Sequence, residues 1–334
     1  MMKILHVISN EIDRARVERV TRYIPEEFEH QFVMSDELGS VKCPVDVIHA
    51  HRWFGCGQAA WTFANANRIP YVVDVAQSDL DSYRKLFVFN KKNAENVLFE
   101  TARVVFTSPS QEDFLAQHLP SKVANTVFAK SSLLYEPLES SWLENLHIHP
   151  PTALVHIKLL YVGPFVEESR LDDMLHAMKK LQKRNYPVAL TAVETPEDVV
   201  DGRYRQKMLA DALKSDCFKT LQTDSFEGLR DIYRSHDILF LPHAETLQRY
   251  AEALSQGLPV LYAPNGICDG VFKEGQAGYA VNPKNADDLA KTILNVSDLF
   301  GTIEQQIMRL HPLGLFDAKE QARQWEHLYE NALR

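Results

Sequence analysis

The sequence predicts an α/β protein made of two doubly wound, Rossmann-like domains. Short runs rich in β-branched residues alternate with stretches of helical periodicity, and this alternation is typical of parallel sheets covered by helices. The runs form two series, and a polar stretch with Pro137, Pro150 and Pro151 separates them. Because proline blocks regular structure, this stretch predicts a linker between two domains.

The first domain is predicted at residues 1–137. A segment of this length can bury its own core, and a parallel sheet of this kind binds ligands beyond the carboxyl ends of its strands. The predicted strands are Lys3–Ser9, His30–Met34, Asp46–His49, Tyr71–Val75, Val104–Thr107 and Thr126–Ala129.

Residues 138–153 are predicted as the linker, residues 154–315 as the second domain and residues 316–334 as a terminal amphipathic helix. The predicted strands of the second domain are Ile157–Gly163, Val188–Val193, Asp237–Leu241, Pro259–Tyr262 and Gly278–Val281. The predicted helices are Leu171–Arg184, Arg203–Lys214, Glu227–Ser235 and Ala286–Val296.

The amino-acid composition limits the classes of molecule that this protein is expected to bind. The chain has 334 residues, of which 45% are hydrophobic and 24% are charged, and its net charge is −9. A broad basic surface for nucleic acid is therefore not expected, while a local basic patch leaves peripheral membrane contact open. The sequence has no apolar run of eighteen residues, so we expect no transmembrane helix. Its cysteines (Cys43, Cys56, Cys217 and Cys268) are scattered, which favours reduced thiols and a cytoplasmic protein.

The most informative segments are Asp237–Glu245 and Glu252–Val260. They predict a buried strand, a polar loop, the start of a helix and a Gly-Leu-Pro-Val turn into the next strand. Two carboxylates, Glu245 and Glu252, stand in or beside this loop, where a small polar ligand could reach them.

These segments resemble the donor-binding signature of the family 4 glycosyltransferases, which have the two-domain GT-B fold. The resemblance is strongest over residues 157–298, and it includes Lys158-Leu-Leu-Tyr-Val-Gly163 and Asn265–Pro283. It implies that the two domains face each other across a cleft and that the terminal helix crosses back to the N-terminal domain. It also implies transfer of a sugar, with retention, from a nucleotide-diphosphate sugar to a glycan or glycolipid acceptor, in the assembly of a cell-surface polysaccharide. No tightly bound cofactor or metal is implied.

The resemblance also assigns residues to roles. Glu252 would accept the ribose hydroxyls, since a carboxylate forms charge-assisted hydrogen bonds. Glu245 would meet the donor sugar and, with Asp79, belong to the catalytic set. The donor-binding set is Gly163, Arg170, Glu245, Leu247 and Glu252, with Arg170 on the diphosphate. The acceptor-side set is Arg14, His51 and Asp79.

Several positions depart from the family pattern. Pro164 and Ser169 stand where relatives carry the phosphate-binding Arg and Lys, and Ala15 and Arg16 replace a Gly-Gly pair. Ala76 and Gln77 replace a functional His-Gly, and six residues instead of seven separate Glu245 from Glu252. A second hypothesis therefore stays open: a catalytically silent scaffold that binds a glycan or a partner glycosyltransferase.

Two further motifs have alternative interpretations. Gly55-Cys-Gly57, with Asp74 downstream, imitates an NAD-binding fingerprint, but a helix start that packs through small residues explains it better. His49 and His51 are expected on opposite faces of their strand, and as a metal pair they need further ligands that the sequence does not identify.

Overall fold

The computed structural model describes residues 1–42, 44–144, 147, 154–310 and 312–334, with the backbone alone at 88, 89, 312 and 313. These residues divide into two compact units. The first unit contains Met1–Glu139, Glu245–Leu247 and Gly314–Arg334, and the second contains Ser140–Ala244 and Gln248–Leu313. Half of the predicted linker, at residues 145, 146 and 148–153, lies outside the described residues.

The first unit is built on a six-stranded, parallel sheet. The strand order is β2-β1-β3-β4-β5-β6, so the chain reverses its direction of travel across the sheet between β1 and β3. The strands are β1 (Met2–Ile8), β2 (Phe28–Met34), β3 (Val47–Ala50), β4 (Tyr71–Val75), β5 (Arg103–Phe106) and β6 (Ser131–Leu133). The helices are α1 (Glu11–Thr21), α2 (Gln58–Asn67), α3 (Gln77–Lys85), α4 (Val88–Glu100), α5 (Pro109–His118), α6 (Ser121–Phe128) and α14 (Ala318–Ala332).

Both faces of this sheet are buried, which explains the continuous apolar runs of its strands. One core contains alternate strand residues such as Leu5, Ile48 and Val73 under α2, α4 and α5. The other core lies under the terminal helix α14, which also packs against α1. It contains Ile4, Val17, Val47, Val72, Val105, Trp325, Leu328 and Tyr329.

The second unit has its own six-stranded, parallel sheet with the order β12-β11-β10-β7-β8-β9. The strand order reverses between β7 and β10, where a doubly wound sheet forms its ligand crevice. The strands are β7 (Ile157–Val162), β8 (Val188–Glu194), β9 (Phe218–Gln222), β10 (Ile238–Leu241), β11 (Val260–Tyr262) and β12 (Gly278–Ala280). The helices are α7 (Ser140–Leu143), α8 (Leu171–Lys183), α9 (Arg203–Ala212), α10 (Phe226–Arg234), α11 (Gln248–Ser255) and α12 (Ala286–Arg309). A short helix, α13 (Pro312–Phe316), connects α12 to α14.

The sequence prediction of secondary structure differs from the structure at four places. The strand β6 (Ser131–Leu133) was missed, and the helix predicted at Ala286–Val296 continues to Arg309. Thr126–Ala129 is not a strand: α6 covers Ser121–Phe128 and buries Ala124 and Val127, which lie three residues apart on one helical face. The strand β9 was missed because only Phe218 in it is buried, so its sequence has no alternation of apolar and polar residues. The other predicted strands are confirmed, with ends shifted by one or two residues.

None of the helices within the described residues is long and apolar enough to cross a membrane.

Candidate functional site

A cavity of about 170 Å³ opens in the second unit at the carboxyl ends of β8 and β9. Thr195 follows β8, Thr223 follows β9, and α11 follows β10, so segments that follow three strands of the same sheet surround it. Parallel sheets bind ligands at this edge because loops and helix N-termini converge there. The lining residues are Trp142, Thr195, Pro196, Glu197, Thr223, Asp224, Ser225, Phe226, Leu229, Gln248, Arg249 and Glu252.

Glu252 lies on α11 at the base of this cavity, and only 1% of it is exposed. Tyr233 Oη donates a hydrogen bond to Glu252 Oε2 over 3.0 Å, and Gln248 Nε2 donates to Oε1 over 2.9 Å. Arg249 Nη1 donates to both oxygens, over 3.3 and 3.0 Å. The carboxylate is therefore held in a fixed orientation by three side chains of its own unit.

Arg249 is the cation in the lining of this cavity, and it was missed from the sequence. Its Nη2 donates to Thr195 Oγ1 and to Asp198 Oδ2, both over 3.2 Å, and to Glu197 Oε1 over 3.4 Å. Burial lowers the pKa of the guanidinium, but Glu252 and the other neighbouring acids outweigh burial and raise it, so Arg249 is charged. One sequence signal was present: Arg249 precedes Glu252 by three residues, a spacing that brings two side chains together on a helix.

Gly163 and Arg170 lie in the loop that follows β7. Gly163 has φ +152°, and a Cβ built on it would lie 2.9 Å from Tyr161 Oη, so the backbone requires glycine here. Arg170 also has positive φ (+50°) and contacts Asp173 over 3.8 Å. It lines a separate cavity of about 350 Å³ together with Arg203, Lys207 and the acidic side chains of Glu167 and Asp172.

Glu245 and Leu247 group with the first unit, whereas Glu252 belongs to the second. Glu245 is exposed, and Leu247 is completely buried. The backbone N–H of Leu247 donates to Glu136 Oε2 over 3.1 Å.

Asp79 is buried in the first unit and receives three backbone hydrogen bonds. The donors are the N–H groups of Trp53 (2.9 Å), Phe54 (3.1 Å) and Ala76 (2.8 Å). Its carboxylate thus caps α3 and closes the turn at Trp53–Gly57. Burial raises the pKa of Asp79 to about 6 despite these donors.

Arg14, in contrast, lies on the exposed side of α1. Its Nε donates to Glu18 Oε1 over 2.9 Å, and its guanidinium lies 5.2 Å from the centre of the Phe32 ring.

His51 belongs to a buried network under α14. His49 and His51 lie on the same face of the sheet, so the prediction of opposite faces was wrong; residues two apart in a strand point to one side. Asp74, from the neighbouring β4, lies between them. Its Oδ1 is 2.6 Å from His49 Nε2, and its Oδ2 is 2.8 Å from His51 Nδ1.

The network extends in both directions from Asp74. His6 Nδ1 is 2.8 Å from His51 Nε2, and His6 Nε2 is 2.8 Å from His30 Nδ1. On the other side, His49 Nδ1 is 2.9 Å from Tyr329 Oη of α14. The side chains of His6, His49 and His51 are each at most 1% exposed.

The charge of Asp74 fixes the protonation of its neighbours. Burial raises the pKa of Asp74, but His49 and His51 outweigh burial and hold it well below its usual range. A carboxylate only accepts hydrogen bonds, so His49 Nε2 and His51 Nδ1 must carry protons. In the neutral imidazoles the opposite nitrogens, His49 Nδ1 and His51 Nε2, carry the lone pairs.

The glycine pair at Gly55 and Gly57 serves packing. Gly55 has φ +74°, and a Cβ on Gly57 would lie 3.1 Å from the carbonyl oxygen of Arg52 and 3.3 Å from Val97 Cγ1. Because Asp74 is engaged by His49 and His51, the geometry favours a close-packed helix start over an NAD site.

The chain is similar to known proteins in part of its sequence and in its fold. Residues 153–299 match the family model described as glycosyl transferases group 1. The predicted resemblance is confirmed. The match covers the second unit from before β7 into α12, including Glu252 and the segment around it. No curated protein sequence matches the chain significantly.

Solved structures extend the similarity to the whole chain at the level of fold. HepE from Anabaena in complex with UDP has a TM-score of 0.76 at 12% identity, covering 99% of this chain and 100% of that one. Sucrose-phosphate synthase from Thermosynechococcus elongatus has a TM-score of 0.75 at 14% identity, with 99% and 98% covered. A glycosyltransferase from Rickettsia africae has a TM-score of 0.70 at 12% identity, with 100% and 99% covered. The chain therefore has the GT-B fold, and residues 153–299 resemble the group 1 glycosyl transferases.

Proposed function

We propose that this protein is a glycosyltransferase that binds a nucleotide-diphosphate sugar in its second unit and transfers the sugar to a glycan or glycolipid. The observation that carries the proposal is the cavity at the carboxyl edge of the second sheet, which has Glu252 and Arg249 in its lining. A diphosphosugar needs both a carboxylate for its ribose hydroxyls and a cation for its phosphates.

Glu252 would accept the ribose hydroxyls in place of the hydrogen bonds from Gln248 and one arm of Arg249. Arg249 would bind the diphosphate in place of the carboxylate of Glu197. The side chain of Glu197 is 58% exposed and is therefore easily displaced. The leaving diphosphate gathers negative charge in the transition state, so a guanidinium placed there lowers the barrier. Arg249 thereby supplies a cation that Pro164 and Ser169 do not.

The remaining roles are part of the same proposal. Glu245 would meet the donor sugar, and Gly163 would complete the donor-binding set. Leu247 and Arg170 belong to the same proposed set, although Leu247 is completely buried and Arg170 lines a separate cavity. Arg14 would serve the acceptor directly, whereas His51, which is only 1% exposed, would act on that side of the first unit through its buried contacts. Asp79 would act by holding the turn at Trp53–Gly57, because its oxygens already accept three backbone N–H groups. Retention of configuration and a role in cell-surface polysaccharide assembly follow from the family resemblance.

Uridine diphosphate is the donor nucleotide that we propose first. HepE was solved with UDP, with UDP and glucose, and with UDP-glucose, and a trehalose-6-phosphate protein from E. coli was solved with UDP-2-fluoro glucose. These structures share the fold of this chain.

A second candidate function is a catalytically silent scaffold that binds a glycan or a partner glycosyltransferase. The observation that favours it is that Glu252 already has hydrogen-bond partners in its own unit. Its two carboxylate oxygens accept hydrogen bonds from Tyr233, Gln248 and Arg249. A network of this kind stabilises the unit without any ligand.

Nucleotide binding separates the two candidates. Thermal unfolding should be measured with UDP, GDP, ADP and their sugar conjugates, on the wild type and on Glu252→Ala. A ligand present at a hundredfold excess over its Kd stabilises the folded state by about 2.7 kcal/mol. A shift with one nucleotide that is lost in Glu252→Ala and kept in Glu227→Ala, an exposed control on α10, supports the transferase. The absence of any shift favours the scaffold.

A further inference from the structure

We propose that His6, His49 and His51 bind a divalent transition-metal ion of the zinc class within the first unit. One ring nitrogen from each of the three side chains can be chosen so that all lie within 4.8 Å of one another. The three residues lie on two adjacent strands of the sheet. His6 lies in β1 and His49 in β3, and His51 follows directly after the end of β3. This site is separate from the cavity around Glu252, and the inference does not depend on the proposed function.

Asp74 prepares two of the ligands. It accepts hydrogen bonds from His49 Nε2 and His51 Nδ1, so His49 Nδ1 and His51 Nε2 present the lone pairs that a metal needs. Metal-binding imidazoles regularly donate their second nitrogen to a carboxylate, which fixes the tautomer and raises ligand basicity. Here a single carboxylate orients two imidazoles at once.

His6 supplies the third ligand, supported by His30. In the network described above, His51 Nε2 accepts from His6 Nδ1, and His6 Nε2 accepts from His30 Nδ1. When a metal takes the lone pair of His51, the proton of His6 moves to Nε2 and is donated to His30 Nδ1. His6 Nδ1 then faces the ion, and His30 carries its proton on Nε2, a buried atom that has no partner within the described residues.

A fourth ligand is available on either side of the three imidazoles. Tyr329 Oη lies 2.9 Å from His49 Nδ1, and the hydroxyl can ligate or orient a water molecule. A cavity of about 30 Å³ adjoins His51 and Asp74, and a cavity of 10–15 Å³ or more accommodates a water. A three-histidine set with one open position is typical of zinc.

The surroundings suit the ion. Trp325 stacks on His51 with ring centres 5.7 Å apart, so an aromatic wall excludes solvent from one side. Tetrahedral zinc places its nitrogens about 3.3 Å apart, so binding requires side-chain rotations that open the 2.8 Å contact between His6 and His51 and draw His49 inward.

The direct test is titration of the full chain, stripped with a chelator, with Zn²⁺ by calorimetry and with Co²⁺ by visible absorption. We expect binding of one ion per chain and the intense Co²⁺ bands of a four-coordinate nitrogen site. The absence of stoichiometric binding in the wild type would overturn the proposal, and this result needs no variant to fold.

Variants then locate the ion. His51→Gln removes a ligand and should abolish stoichiometric binding, while Asp74→Asn should weaken it by about 10- to 100-fold, as loss of an orienting partner does. The control is His147→Gln with His149→Gln, which removes the nearest-spaced histidine pair elsewhere in the sequence and should leave the affinity unchanged. Unaltered affinity in a folded His51→Gln variant, or loss of the ion in the control, would place the metal elsewhere. Circular dichroism in chelator checks that each variant is folded.

Discussion

Arg249 offers the sharpest test of how the second unit is held together. Replacing it by methionine keeps most of the side-chain volume but removes the positive charge. Glu252, only 1% exposed, would then keep hydrogen bonds from Tyr233 and Gln248 and lose its counter-ion. Asp198, with 14% of its side chain exposed, would lose the same partner.

The magnitude follows from this burial. Removing one partner of a buried ion pair costs about 3–5 kcal/mol, because a charge is left uncompensated away from water. For a domain of this size each 1 kcal/mol lowers Tm by about 2–4 °C, so Arg249→Met should unfold roughly 10 °C below the wild type. Adding Glu252→Gln removes the second charge and should restore about 2 kcal/mol or more, since the coupling of two contacting residues is of this order.

The assay is urea and thermal unfolding of the wild type, both single variants and the double variant. The matched control is Arg323→Met, which breaks an ion pair with Glu320 whose side chains are 70% and 46% exposed. That change should cost less than about 0.5 kcal/mol. If Arg249→Met costs no more than Arg323→Met, the inference that Glu252 depends on this cation is refuted.

Three further predictions concern other buried groups. Asp79→Asn leaves one acceptor oxygen for three backbone donors and should cost about 1–3 kcal/mol in unfolding free energy. An equal loss in the control Asp81→Asn, whose side chain is 49% exposed, would contradict the capping role. Burial lowers the pKa of His236 from 6.5 to about 4, so the unfolded chain takes up this proton at a higher pH than the folded chain. The free energy of unfolding should therefore fall by up to about 3 kcal/mol as the pH drops from 6.5 to 4. Urea unfolding across that range should show a weaker pH dependence for His236→Gln than for the wild type, and the same pH dependence in both would exclude His236 as the cause. Gly278→Ala places a Cβ 1.9 Å from the carbonyl oxygen of Val260 at φ +146°, so β12 should detach from β11 and its amides should lose protection from hydrogen exchange; Gly202→Ala, where a Cβ meets nothing within 4 Å, should leave protection unchanged.

The local pattern of apolar and polar residues determined most of the strands of this protein. Buried parallel strands read as short apolar runs because both of their faces are covered, so ten of the twelve strands could be placed closely from runs such as Ile157–Gly163. The Ala-Leu-Ser-Gln-Gly-Leu-Pro-Val run also predicted a helix beside Glu252; α11 begins at Gln248, which puts Glu252 in its second turn, and the role of Glu252 on the ribose stays a prediction. The strand β9 had no such signal, because an edge strand with one buried residue does not alternate.

Tertiary structure alone decided the partners of the polar side chains. His6 meets His51 across 45 residues of sequence, and His49 meets Tyr329 across 280; periodicity carries no information about pairs so far apart. The same holds for Arg249, whose acids at Glu197 and Asp198 arrive on a loop from a different strand. Sheet order and register bring these groups together, and their burial then forces them to pair, because an uncompensated charge or lone pair is costly where water cannot reach it.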